Sequence, residues 1–110
     1  MAPHRLGYKN TKRIIVEGDA GAELGMHMIK GSIIVKGNAG SEAGHFMANG
    51  FIHIIGNAGC SVGYYQGGGE ILVDGNVDPF LGNTLHGGRL TVNGFAERDI
   101  GWWMKGGEIH

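Results

Sequence analysis

With 110 residues and a net charge of -1, of which 17% are charged, the chain has room for one domain. It carries no basic or acidic block that would capture nucleic acid or an anionic membrane surface. No apolar run approaches the roughly 20 residues that span a bilayer, and Met1-Ala2-Pro3-His4-Arg5 lacks the apolar stretch of a secretory signal. Cys60 is the single cysteine, which excludes an internal disulfide and points to a reducing, cytoplasmic setting. Glycine is the outlier: 23 residues, about three times ordinary usage. Such a chain is disordered unless its glycines are periodic.

Residues 1–12 follow no repeat and are expected to form an N-terminal cap or an irregular lead-in. Arg13 to Val16 then read as strand, with Ile14 and Val16 on one face. From Gly18 the chain repeats every 19 residues, with new units at Gly37, Gly56, Gly75 and Gly94 and no insertion or deletion between them. A fixed period of this length marks a stacked architecture.

Three positions of the unit are glycine in every copy: the first, the eighth (Gly25, Gly44, Gly63, Gly82, Gly101) and the fourteenth (Gly31, Gly50, Gly69, Gly88, Gly107). They are expected at corners that need positive φ or close backbone approach. The second position holds Asp19, Asn38, Asn57 and Asn76, expected to take left-handed conformations and make local turn hydrogen bonds. Positions sixteen and eighteen are aliphatic (Ile33 and Val35, Ile52 and Ile54, Ile71 and Val73, Leu90 and Val92), and the residue between them varies freely. That alternation predicts a strand with one buried face. The third position is small, expected where opposing walls approach.

A 19-residue unit cannot bury its apolar face alone, but stacked units pair backbones at about 4.8 Å and turn each column into a continuous ladder. Helices fit poorly, because three glycines per unit would cost about 1 kcal/mol each in helix interiors. The predicted fold is all-β: a single-stranded right-handed parallel β-helix, a solenoid of about five turns over residues 13–110, its hand taken from the bias of parallel crossovers.

With this repeat the chain resembles the C subunit of formylmethanofuran dehydrogenase, whose tandem units read G-[DN]-A-G-x-x-x-G-x-x-M-x-x-G-x-I-x-V; residues 18–36 and 37–55 match closely. It is similar also to the Gly-x-Gly-x-Gly β-helix domain that ends the large subunit of glutamate synthase. The resemblance implies a non-catalytic scaffold in a cytoplasmic oxidoreductase complex, with no cofactor in this chain. The molybdenum or tungsten pterin and the iron–sulfur clusters would belong to partner subunits. The second family implies instead a spacer partnering an amidotransferase and a flavoenzyme. The last two units depart from the pattern: Asp78 and Glu97 replace the fourth-position glycine, Pro79 follows Asp78, and Phe95 replaces the turn Asp or Asn. The corner there is expected to be rebuilt.

The glycine segments superficially suggest phosphate loops, but they recur in every unit with no helix start beside them, so bend chemistry accounts for them. The histidines fall in different columns; His53 and His110 share one but lie three turns apart, about 14 Å, and His27, His45 and Cys60 supply too few converging ligands for zinc. Cys60 occupies a small turn position and lacks the orienting partners of a nucleophile. No catalytic, cofactor or metal residue is therefore assigned. A small independent ligand binder or enzyme around His45, Tyr64 and Cys60 is the remaining alternative.

One feature exceeds what folding alone asks for. Positions nine and ten carry His45-Phe46, Tyr64-Tyr65 and Trp102-Trp103; read as strand, one of each pair must point outward. Aromatic residues are enriched at interface cores, although stacking for sheet stability is the competing account. These six residues are the candidate docking stripe. Ile109 joins them because the final unit stops short of its eighteenth position, and such an open end is expected to meet another chain, a symmetry mate or further sequence.

Overall fold

In a computed structural model, residues 5–96, 98–101 and 104–110 are described. Met1 to His4, Glu97, Trp102 and Trp103 lie outside them. Six strands, β1 (Arg13–Val16), β2 (Ser32–Val35), β3 (Phe51–Ile54), β4 (Glu70–Val73), β5 (Arg89–Val92) and β6 (Glu108–Ile109), run parallel in one sheet in chain order. Each step of the register is one repeat: Ile14 faces Ile33, then Ile52, Ile71, Leu90 and Ile109. The protein is the expected all-β solenoid, with no helix among the described residues.

The alternation in the strands decides which wall faces in. In β2 and β3 the second and fourth residues are buried and the first and third half-buried, so Ile33, Val35, Ile52 and Ile54 form inward ladders. Across the coil the third-position residues Ala20, Ala39, Ala58 and Val77 are buried, and three of these steps form parallel bridges, Ala39 to Ala58, Ala58 to Val77 and Val77 to Ala96. Small residues suit this wall. Leu24, Ala43, Val62 and Leu81 together with Met28, Met47 and Leu85 fill the remaining space. Gln66 sits in the methionine column fully buried; its Nε2 donates to the carbonyls of Gly68 and Gly69 at 3.0 and 3.2 Å.

Two kinds of glycine emerge. Gly50 has φ 104, and a Cβ there would lie 3.0 Å from the Gly31 carbonyl of the coil below. Gly56 is not at positive φ; a Cβ there would run into the Asn38 side chain and the Gly37 backbone. Conformation requires the first and proximity the second.

The second-position residues correct the expectation of local turns. None of Asp19, Asn38, Asn57 and Asn76 has positive φ. Each Oδ1 instead accepts the backbone N–H of the residue nineteen positions on, at 2.8 Å in all four steps, the last from Phe95. The column is an amide ladder that stitches coil to coil. At the rebuilt fourth-position corner the change is small: the Asp78 amide bonds the Ala58 carbonyl at 3.3 Å, where the Gly59 amide is shared between the Ala39 and Gly40 carbonyls.

Residues 5–12 follow the same path as a partial leading coil. Arg5 N–H donates to Ala22 O, Lys9 N–H to Met26 O, and Leu6 O accepts from Gly25. Asn10 takes the place of Met28, and its side chain brackets Lys12 by accepting from its N–H and donating to its carbonyl.

Truncating one rung of the inward ladder should be costly and truncating the outer face should not. Ile52→Ala is expected to lower unfolding free energy by about 2–5 kcal/mol in urea titrations, whereas Ile34→Thr should cost less than about 1 kcal/mol. Asn57→Ala, which removes the acceptor for Asn76, should cost about 1 kcal/mol.

Candidate functional site

Positions six to eleven of the first four coils are not strand but two overlapping turns. In the first coil Met26 N–H bonds Glu23 O at 3.2 Å and Met28 N–H bonds Gly25 O at 2.9 Å, and the same pair recurs in the next three coils at 2.9–3.2 Å. Gly25 and His27, third residues of these turns, both have positive φ, the signature of type II geometry. The first turn meets this demand with glycine. The second places His27, Phe46, Tyr65 and Thr84 at φ 54 to 58, where bulky residues are rare. Inter-coil bonds hold the conformation: His27 N–H to His45 O, Phe46 N–H to Tyr64 O and Tyr65 N–H to Asn83 O, at 2.9–3.2 Å.

This geometry answers which member of each pair points outward, for a reason other than strand alternation. The tenth position is outermost, with Phe46 and Tyr65 exposing 41% and 38% of their surface, while His45 beneath them exposes 9% and Tyr64 is half-buried. The outer rings stack across coils: His27 on Phe46 at 4.9 Å, Phe46 on Tyr65 at 5.3 Å, and Tyr65 on His86 at 5.8 Å. Tyr8 of the leading coil tilts over His27 at 5.8 Å, with the Lys9 ammonium above its ring. A second row lies underneath, His45 at 4.3 Å from Phe46 and 4.8 Å from Tyr64, which meets Tyr65 at 4.7 Å. Each such pair contributes about 0.5–1.5 kcal/mol beyond burial, so the rows stiffen this edge.

Of the sequence-derived interface residues, the fold brings His45, Phe46, Tyr64 and Tyr65 together. Trp102 and Trp103 lie outside the described residues. Ile109 is apart from this cluster: it continues the inward ladder, half-buried, at the last coil, beside exposed Ile100 and Met104 that line a shallow apolar groove. The backbone there is still paired, His110 N–H to Leu90 O at 2.7 Å and Val92 N–H to His110 O at 3.0 Å. Cys60 meets Ser41, its thiol 3.4 Å from the hydroxyl.

Two residues that the sequence reading does not single out join the site. Glu23 and Glu42 occupy the sixth position of adjacent coils, both at positive φ, and both turn toward His45. Its Nδ1 lies 3.1 Å from Glu42 Oε1 and 3.6 Å from Glu23 Oε2. Arg5 Nε donates to Glu23 Oε1 at 3.1 Å. Their sequence signal was the 19-residue spacing between the two glutamates combined with the three-residue step from Glu42 to His45.

Comparison of the chain with protein-family models, with curated proteins and with solved structures gave no match. No helix among the described residues is long and apolar enough to cross a membrane.

The Arg5 hydrogen bond holds the Glu23 carboxyl below its ordinary value of 4.5; burial opposes this, and the Arg5 charge and His45 add to the lowering. A depressed carboxyl stabilises the fold above its unfolded value and loses that contribution as pH falls through the folded one. Glu23→Gln should therefore flatten the fall in stability below about pH 4.3, measured as urea midpoints across an acid series, and Arg5→Gln should act in the same direction.

Proposed function

We propose that this protein is a non-catalytic scaffold that docks catalytic subunits of an oxidoreductase complex through its ring-stacked edge. The observation that carries the reading is the row of His27, Phe46 and Tyr65, stacked across three coils with two of the rings more than a third exposed. Stacking alone would favour burying such rings, whereas a pre-ordered aromatic row offers a partner large contact area at little cost in side-chain entropy. The solenoid supports the row on a regular lattice of inter-coil hydrogen bonds, which suits a rigid spacer. The resemblance to the formylmethanofuran dehydrogenase C subunit supplies the partner class: subunits that hold the pterin and iron–sulfur groups, with none held by this chain.

Affinity purification of the tagged chain from its native cells tests the reading. Pterin and iron–sulfur subunits are expected as stoichiometric companions, and Phe46→Ser combined with Tyr65→Ser should release them while the far-ultraviolet circular dichroism stays that of the parent. Companions of amidotransferase and flavin type would transfer the scaffold to a glutamate-synthase-like complex. Elution of the chain alone, with turnover of a substrate, would overturn the scaffold role.

A further inference from the structure

The ring edge leaves one group unexplained. His45 is nine-tenths buried, stacked between Phe46 and Tyr64, and its Nδ1 is enclosed yet has no hydrogen-bond partner. Its closest charged neighbours are Glu42 Oε1 at 3.1 Å and Glu23 Oε2 at 3.6 Å. With Nδ1 unprotonated, its lone pair is enclosed beside two carboxylates with no proton or cation between them. A buried acceptor left without a donor is unfavourable for a group shielded from water.

A cation between the three resolves this. We propose that Glu23, Glu42 and His45 form a binding site for a divalent transition-metal cation of the zinc type. Their ligand atoms all lie within 4.8 Å of one another. Ligands at 2.0–2.1 Å from a tetrahedral zinc stand about 3.3 Å apart, and the distances from Nδ1 to the two carboxylates, 3.1 and 3.6 Å, straddle that value. One imidazole with two carboxylates is a borderline nitrogen and oxygen donor set, which favours zinc and its neighbours over magnesium or calcium. Arg5 engages Glu23 through Oε1, leaving Oε2 to face His45. The glutamate side chains are 22% and 37% exposed, so the site is open to solvent on one side for entry and for a further ligand. The charges facing it are those of Glu23, Glu42 and Arg5, and a divalent ion offsets their net negative sum.

The site does not depend on the docking role and is tested separately. The full chain, stripped with a chelator and dialysed, is titrated with Zn2+ alone at neutral pH by calorimetry, and with Co2+ by visible absorption. One saturable equivalent per chain is expected, with the Co2+ bands of a tetrahedral site. Glu42→Gln, Glu23→Gln and His45→Asn should each weaken binding by at least about tenfold, as losing a ligand costs more than losing its supporting shell; His110→Gln should leave it unchanged. The glutamate variants keep the test decisive if the buried histidine variant fails to fold. Absence of saturable uptake, or affinity unchanged in Glu42→Gln, would overturn the proposal. So would 15N spectra showing His45 Nδ1 protonated both with and without Zn2+, which would leave an ion pair as the whole account of the cluster.

Discussion

Backbone pairing between coils at a constant offset is the constraint on which every other feature of this molecule rests. No coil contains enough apolar surface to fold by itself, and its strand is at most four residues long. Each amide in that strand finds its partner in the coil above or below, and the offset of nineteen is kept from β1 to β6. Because side chains alternate with period two, a slip of one residue would move Ile33, Ile52 and Ile71 to the solvent face and bring Ile34, His53 and Leu72 inward. The third-position bridges, the asparagine ladder and the tandem turns repeat the same offset on the other sides of the coil. Misregister on one wall is thus opposed by all of them.

This constraint explains why the chain tolerates unusual backbone. Left-handed conformation costs a residue other than glycine about 1–2 kcal/mol, and eleven such residues among those described, from Arg5 to Asp99, adopt it. They occupy the sixth and tenth positions of the coils, and for those from Arg5 to Phe80 the amide is held by a carbonyl of the neighbouring coil. A functional consequence follows from the same geometry. A side chain at the tenth position projects outward from the second turn, so successive coils set their rings face to face. The sixth-position side chains meet the ninth in the same way, and that is how Glu23 and Glu42 reach His45. The docking edge and the proposed cation site are products of turn geometry repeated at one spacing.

The inward ladders were legible in the sequence because burial imposes the same aliphatic residue on positions sixteen and eighteen of every copy. The invariant glycines were legible too, since no other residue meets both the positive φ of Gly50 and the close approach at Gly56. What sequence left hidden was conformation that composition does not mark. Phe46 and Tyr65 resemble strand residues, and nothing about an aromatic side chain announces a left-handed turn; strand alternation leaves open which member of each pair faces out, and the turn geometry makes it the tenth position. Asn38 and Asn57 looked like local turn formers because asparagine usually bonds its own neighbourhood; here the closer partner is the next coil. The leading coil was obscured by a turn one residue shorter than its successors, which breaks the column alignment before Arg13. Glu23 and Glu42 carry no such mark, because a glutamate at a turn reads as a solvated charge until the fold sets its column against that of His45.

The most direct test of the stacked-coil account is a set of through-space proton contacts in the nuclear Overhauser spectrum of the folded chain. Adjacent coils lie about 4.8 Å apart, so methyl and amide contacts are predicted between Ile33 and Ile52, Ile52 and Ile71, and Ala39 and Ala58. Contacts that pair Ile33 instead with Phe51 or His53, or an absence of any contact at the nineteen-residue separation, would contradict it.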